Sequence, residues 1–203
     1  MTKQTIIVFV NGILVIPGQV VGWTERACEW VNSKTEFKAD RYEYFADALF
    51  HAIKEPKRVE DLFSVMDKYI TMQPVLVGHS NGCDIICKLL KNNDVAVKSI
   101  HLIAGACERD FDKNGLNDAV KLGKVDSINI YGSNFDKALI KAKSTGWFMR
   151  LFGAAYGTLG LEGPVNMSQG SAAITKTIWK DGYDHSTWFW PENFDTTMRG
   201  ITQ

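Results

Sequence analysis

Residues 75–90 read VLVGHSNGCDIICKLL, and this run constrains the fold more than any other part of the chain. Residues 75–78 are short and apolar, as a strand buried on both faces requires. From Asn81 onward, Ile85, Ile86, Leu89 and Leu90 recur at helical spacing. The backbone must therefore pass from strand to helix within about one residue, at Ser80. A turn that sharp brings strand and helix backbones together, and side chains two positions either side of it would collide. Those positions are Gly78 and Gly82. The product is a serine hydroxyl lifted above the end of a sheet, in the G-x-S-x-G pattern.

The rest of the chain repeats the alternation of strand and helix. Residues 5–10 are nearly all β-branched or aromatic and predict a central strand, after which Gly12 opens a loop. Trp23, Ala27, Trp30 and Val31 predict an amphipathic helix leading to a polar edge strand near 36–41. Residues 45–53 and 59–70 read as helices separated by Pro56. Further strands are expected at 98–104, 126–131 and 175–180, with helices near 114–122 and 137–143. Such alternation implies a parallel sheet with helices on both faces, a three-layer α/β sandwich of six strands. With 203 residues, no internal repeat and no low-complexity linker, a single domain over 1–203 is expected.

Composition narrows the function. Twenty-three basic side chains balance twenty-three acidic ones, so nothing calls for nucleic acid or acidic lipid as a partner. Cys28, Cys83, Cys87 and Cys107 lack C-x-x-C or His/Cys spacing and read as reduced core thiols, with no metal and no cofactor implied. Residues 5–16 are apolar but are broken by Asn11-Gly12, with no cleavage pattern after them. No run approaches the roughly 20 apolar residues of a spanning helix, so no stable membrane insertion is expected and the default compartment is the cytoplasm.

Four segments together resemble the α/β-hydrolase superfamily, as a small member without the two antiparallel strands that often open the family. They are the first strand running into Val10-Asn11-Gly12, the Gly78–Gly82 turn, residues 128–138 (INIYGSNFDKA), and Gly182-Tyr183-Asp184-His185-Ser186. The resemblance implies a mainly parallel sheet of order 2-1-3-4-5-6 and a serine hydrolase whose nucleophile is Ser80. The expected substrate is a small-molecule acyl ester or thioester. Amidase or acyltransferase chemistry with the same residues is an alternative, and so is a non-catalytic ligand-binding protein.

A serine hydroxyl needs a base to take its proton. His51 falls on a helix, His101 inside a strand, and His79 beside Ser80, where neighbouring side chains diverge; His185 follows the last strand and is the expected base. The acid should lie beyond a strand end between serine and histidine. Asp136 fits, either in that role or as a helix N-cap, and Glu108 and Asp110 after the fourth strand remain open. The oxyanion needs backbone N–H donors: Asn81 by its position, and Gly12 or Ile13 from the loop after the first strand. Residues 146–161 carry one charge, Arg150, among Trp147, Phe148, Phe152, Tyr156 and four glycines. The wider stretch 145–170 is expected to be a Gly/aromatic-rich insertion, as a flap or as part of the core.

Overall fold

The computed structural model describes residues 5–12, 22–44, 51–69, 71–72, 74–150 and 157–203, with the backbone alone described at 51–54 and 145–150. In chain order the elements are β1 (Ile6–Val10), α1 (Trp23–Lys34), β2 (Lys38–Tyr42), α2 (His51–Asp67), β3 (Val75–His79) and α3 (Asn81–Asn92). There follow β4 (Val97–Ile103), α4 (Phe111–Asn114), α5 (Leu116–Lys121), β5 (Val125–Gly132), α6 (Lys137–Arg150), α7 (Leu159–Glu162) and α8 (Gln169–Ile174). The chain ends with β6 (Thr175–Trp179), a 3₁₀ turn at Thr187–Phe189, and α9 (Pro191–Ile201).

The six strands form one sheet of order β2-β1-β3-β4-β5-β6. Every pairing is parallel, as expected from the sequence. Strand alternation splits the core in two. Ile6, Val8 and Val10 of β1 face one side with Leu76, Ile100 and Ile130, under Leu62 and Met66 of α2 and Ile86 and Leu89 of α3. Ile7 and Phe9 face the other with Val75, Val77 and Tyr131, under Trp23, Ala27 and Val31 of α1 and Met198 and Ile201 of α9. Both faces are covered, which is why β1 and β3 are continuous apolar runs. The strand order reverses between β1 and β3, and in open parallel sheets the crevice beyond the strand ends at such a point is where ligands bind. Gly12 leaves β1 and Ser80 leaves β3 at that crevice.

Several expectations need correction. The two helices expected either side of Pro56 are one helix over the described part, α2, which contains the proline. Pro56 forfeits one backbone hydrogen bond there, while Val59, Leu62 and Met66 bury the same helix against the sheet. The helix expected at 114–122 is split at Gly115, whose φ of 84° interrupts α4 and α5. Helix α9 was not anticipated; its signals are Pro191 at the first turn and Phe194, Met198 and Ile201 at helical spacing. Residues 45–50 and 151–156 and Ile13 lie outside the described residues, as does the side chain of His51. Of the expected insertion, Leu159 and Leu161 are buried, and Gly160 packs on the backbone of Ala104 and Gly105.

His101 is the core histidine its strand position predicts: it is buried, with Nδ1 3.0 Å from the Tyr131 hydroxyl. All four cysteines are free. Among the described residues no helix is long and apolar enough to cross a membrane.

Because α9 seals the second core, Met198→Ala should cost about 2–4 kcal/mol of unfolding free energy. Urea denaturation checks this, and a loss below about 0.5 kcal/mol, the scale of a neutral surface substitution, would show that the helix does not pack as described.

Candidate active site

Ser80 sits between β3 and α3 with φ 55° and ψ −121°, a region that non-glycine residues avoid. Such strain costs on the order of 1–3 kcal/mol and persists only where the surroundings over-determine it. Here they do. Ser80 N donates to the Ile103 carbonyl at 3.0 Å, and the Ser80 carbonyl accepts from Ala106 N at 3.0 Å and Cys83 N at 3.2 Å. A Cβ added at Gly82 would lie 2.5 Å from the Val10 carbonyl oxygen, and one at Gly78 would lie 2.8 Å from Cys83 N. Both flanking glycines are thus fixed by backbone contact. Gly12 is in the same position with respect to the serine itself, since a Cβ there would stand 2.8 Å from Ser80 Cβ and 3.3 Å from its Oγ.

His185 lies on the loop after β6, and its Nδ1 donates to Asp136 Oδ2 at 2.7 Å. Asp136 is almost fully buried, and its other oxygen accepts the Leu139 N–H at 2.9 Å, capping α6. One oxygen thus caps the helix and the other bonds the histidine. The helix N-terminus also favours its negative charge. The neighbouring Asp184 anchors the loop: its Oδ1 accepts from Lys137 N at 3.0 Å and from His185 N at 2.8 Å.

Glu108 and Asp110 are engaged elsewhere. Asp110 caps α4 through Asp112 N at 3.0 Å and Lys113 N at 3.4 Å, and accepts from Asn166 Nδ2 at 2.9 Å. These contacts, the Asn166 bond first, hold its carboxyl below the ordinary aspartate value. Glu108 Oε1 takes the Asp110 N–H at 3.1 Å. Among the described residues neither bonds a histidine.

Two residues near the turn were not singled out as functional from the sequence. His79 Nε2 is 2.9 Å from the backbone carbonyl of His185, and the two rings are 4.8 Å apart, which puts the His185 loop beside the serine turn. No hydrogen bond joins Ser80 Oγ to His185 among the described residues; without substrate, such bonds are commonly long. Tyr44 is the second. Asn81 opens α3, where the first N–H groups have no partner within the helix, and its side-chain amide donates to the Tyr44 hydroxyl at 3.0 Å. The Asn11 side chain in turn accepts from Tyr44 N at 3.2 Å and donates to Tyr44 O at 3.4 Å. Burial raises the Tyr44 phenol well above its ordinary value. Among the described residues no group of three His, Cys, Asp or Glu side chains is arranged to hold a metal ion.

The same architecture recurs in solved structures. The ydeN gene product of B. subtilis shares 13% identity with a TM-score of 0.58, covering 98% of this chain and 100% of the other. Est1E from Butyrivibrio proteoclasticus shares 12% with a TM-score of 0.57, covering 98% and 86%. MenH from S. aureus shares 10% with a TM-score of 0.56, covering 99% and 94%. The chain has the α/β-hydrolase fold. No family model matches its sequence, and neither does any curated protein. Within this α/β-hydrolase fold, Ser80, Asp136 and His185 fall after β3, β5 and β6, and Gly12 falls after β1.

Two buried histidines make stability pH-dependent. Desolvation lowers His79 to about 3 and His101 to about 4, below the ordinary 6.5. The unfolded chain therefore binds protons that the folded one refuses once pH drops below 6.5. Their contribution is complete above about pH 6.5 and is lost on acidification, at up to about 1.4 kcal/mol per pH unit for each histidine. His101→Gln should flatten the fall in unfolding free energy between about pH 4.5 and 6.5. An unchanged slope in urea titrations would contradict burial of a neutral His101.

Proposed function

We propose that the chain is a serine hydrolase acting on carboxylic esters or thioesters of small molecules. The observation that carries this reading is the 2.7 Å bond from His185 Nδ1 to the buried Asp136 carboxylate, on a loop tied to the turn that presents Ser80. With Nδ1 donating to Asp136, neutral His185 has a bare Nε2 that can accept a proton. Ser80 Oγ attacks the substrate carbonyl carbon while its proton passes to His185 Nε2. Asp136 keeps the ring oriented and stabilises the imidazolium.

The oxyanion that forms needs donors already in place. The first N–H of α3, on Asn81, which has no partner within the helix, is one. The loop at Gly12 and Ile13 supplies the other, and the absence of a Cβ at Gly12 leaves room for substrate against Ser80. Collapse of the tetrahedral intermediate expels the alcohol or thiol, which takes the proton from His185, and leaves an ester on Ser80. Water then repeats the sequence, giving up its proton to His185 and releasing the acid. The reaction calls on no cofactor. Several solved structures sharing the fold are named as hydrolases or esterases, which favours this reading over the other activities the fold supports. The chain is proposed to act as a single catalytic domain.

A series of p-nitrophenyl esters of increasing chain length tests the proposal. Ser80→Ala should abolish turnover, and Asp136→Asn should lower kcat by about three to four orders of magnitude while circular dichroism stays native. Asp110→Asn should leave kcat within about twofold, since this carboxylate holds α4 and Asn166 rather than His185, and asparagine also caps a helix. Near-normal turnover in folded Asp136→Asn would remove the acid from this scheme.

A further inference from the structure

We propose that His79 is a positioning residue for His185: its imidazole ties the backbone of the His185 loop to the serine turn and thereby sets where the His185 ring stands relative to Ser80. The inference rests on the serine-hydrolase reading and adds to it a residue that touches neither substrate nor the reacting atoms.

His79 Nε2 lies 2.9 Å from the carbonyl oxygen of His185. A carbonyl oxygen only accepts, so Nε2 carries the hydrogen and His79 is held in one tautomer. The ring cannot turn away from this bond. It meets Trp23 edge-on at 5.9 Å and Phe189 edge-on at 5.2 Å, and those two rings stack on each other at 4.1 Å. Phe189 belongs to the same loop, four residues beyond His185, and its carbonyl accepts from Arg26 Nη2 at 2.6 Å. The loop therefore meets His79 through the His185 carbonyl, the His185 ring and the Phe189 ring.

The anchoring of His185 divides into two parts. Asp136 fixes the ring through Nδ1, but it lies beyond β5, on the far side of β4 from Ser80. The bond from His79 spans the remaining gap, because His79 is the last residue of β3 and adjoins Ser80 directly. Without it, the His185 backbone is tethered to α6 through Asp184 but not to the turn whose hydroxyl its ring must serve.

The chemistry also explains why a histidine suits this place. The residue needs an N–H donor, enough reach to leave the strand end, and no charge. A lysine or arginine there would stand about as close as the 4.8 Å between the two rings and would oppose the positive charge His185 takes on when it accepts the serine proton. Burial of the His79 imidazole keeps it neutral, with its pKa down at about 3. The N–H is thus supplied without placing a positive charge beside His185.

The test compares the rate of fluorophosphonate labelling at Ser80 in wild type, His79→Gln and His79→Leu, each checked for native circular dichroism. Glutamine places an amide N–H the same number of bonds from Cβ as imidazole Nε2, and leucine has no donor. His79→Gln should label within about threefold of wild type and His79→Leu about 10- to 100-fold more slowly, the scale of a small misplacement of a reacting group. A purely structural role would lower the melting temperature of both variants and leave the labelling rate of the folded molecules unchanged. A second measurement uses the unaltered protein. Long-range ¹H–¹⁵N NMR should show His79 as the Nε2–H tautomer, without titration between about pH 5 and 8; this spectrum carries the test if His79→Leu does not fold. Folded His79→Leu labelling at the wild-type rate, or a titrating His79, overturns the inference and leaves the role of Ser80 standing. Wild type that is not labelled at Ser80 overturns the underlying reading, and this inference with it.

Discussion

The close approach of the β1 end to the first turn of α3 is the constraint on which the site depends. The carbonyls of Val10 and Asn11 stand where a side chain at residue 82 would begin, so α3 can start directly beneath the end of β1 only if that residue is glycine. That proximity forces Ser80 into its positive-φ conformation. It also brings Gly12, the next backbone unit along, against the serine side chain. A hydrogen bond from Ser80 N to the Ile103 carbonyl and one from Ala106 N to the Ser80 carbonyl, at and after the end of β4, then lock the turn from the other side. The strained residue is held by two separate pieces of chain, the β1 end and the β4 end, as such strain requires.

Around that turn, the parallel sheet delivers each remaining group from a different strand end. Asp136 follows β5 and begins α6, and its two oxygens divide between the helix N–H and the histidine. This economy matters for precision: the residue that orients His185 is itself fixed by the helix it caps, so its geometry does not depend on a mobile side chain. Asp184 repeats the device on the other side, bonding both α6 and the His185 N–H. The loop after β6 is consequently tethered to α6, to β3 through His79 and to α1 through Arg26. Strand β3 and helix α1 are buried in the two cores, and α6 packs through Leu139 against Ala106 and Leu161.

What the sequence made legible follows the range of the interactions involved. The serine turn, the central strands and the turn before Asp136 are encoded by glycines and β-branched residues within a few positions, so local sterics suffice to read them. The sheet order came from resemblance, since no local signal specifies that β1 pairs with both β2 and β3. The contact between Asp136 and His185 joins residues 49 positions apart, and nothing near Asp136 distinguishes it from Asp110, which is also a helix cap. Only their surroundings in space separate the two. Tyr44 was invisible for the same reason, as its partner Asn81 is 37 residues away. Pro56 misled because a proline costs a helix one bond, and the buried face of α2 offsets that cost. Helix α9 had local signals in Pro191 and the Phe194, Met198, Ile201 spacing.

The central claim is that the strained turn at Ser80 presents a nucleophile activated by His185. Peptide mapping by mass spectrometry after treatment with a fluorophosphonate addresses it most directly. The account predicts one adduct per chain, on the peptide carrying Ser80, absent from Ser80→Ala and from folded His185→Ala. A folded wild-type protein that takes no adduct, or takes it on another residue, would contradict it.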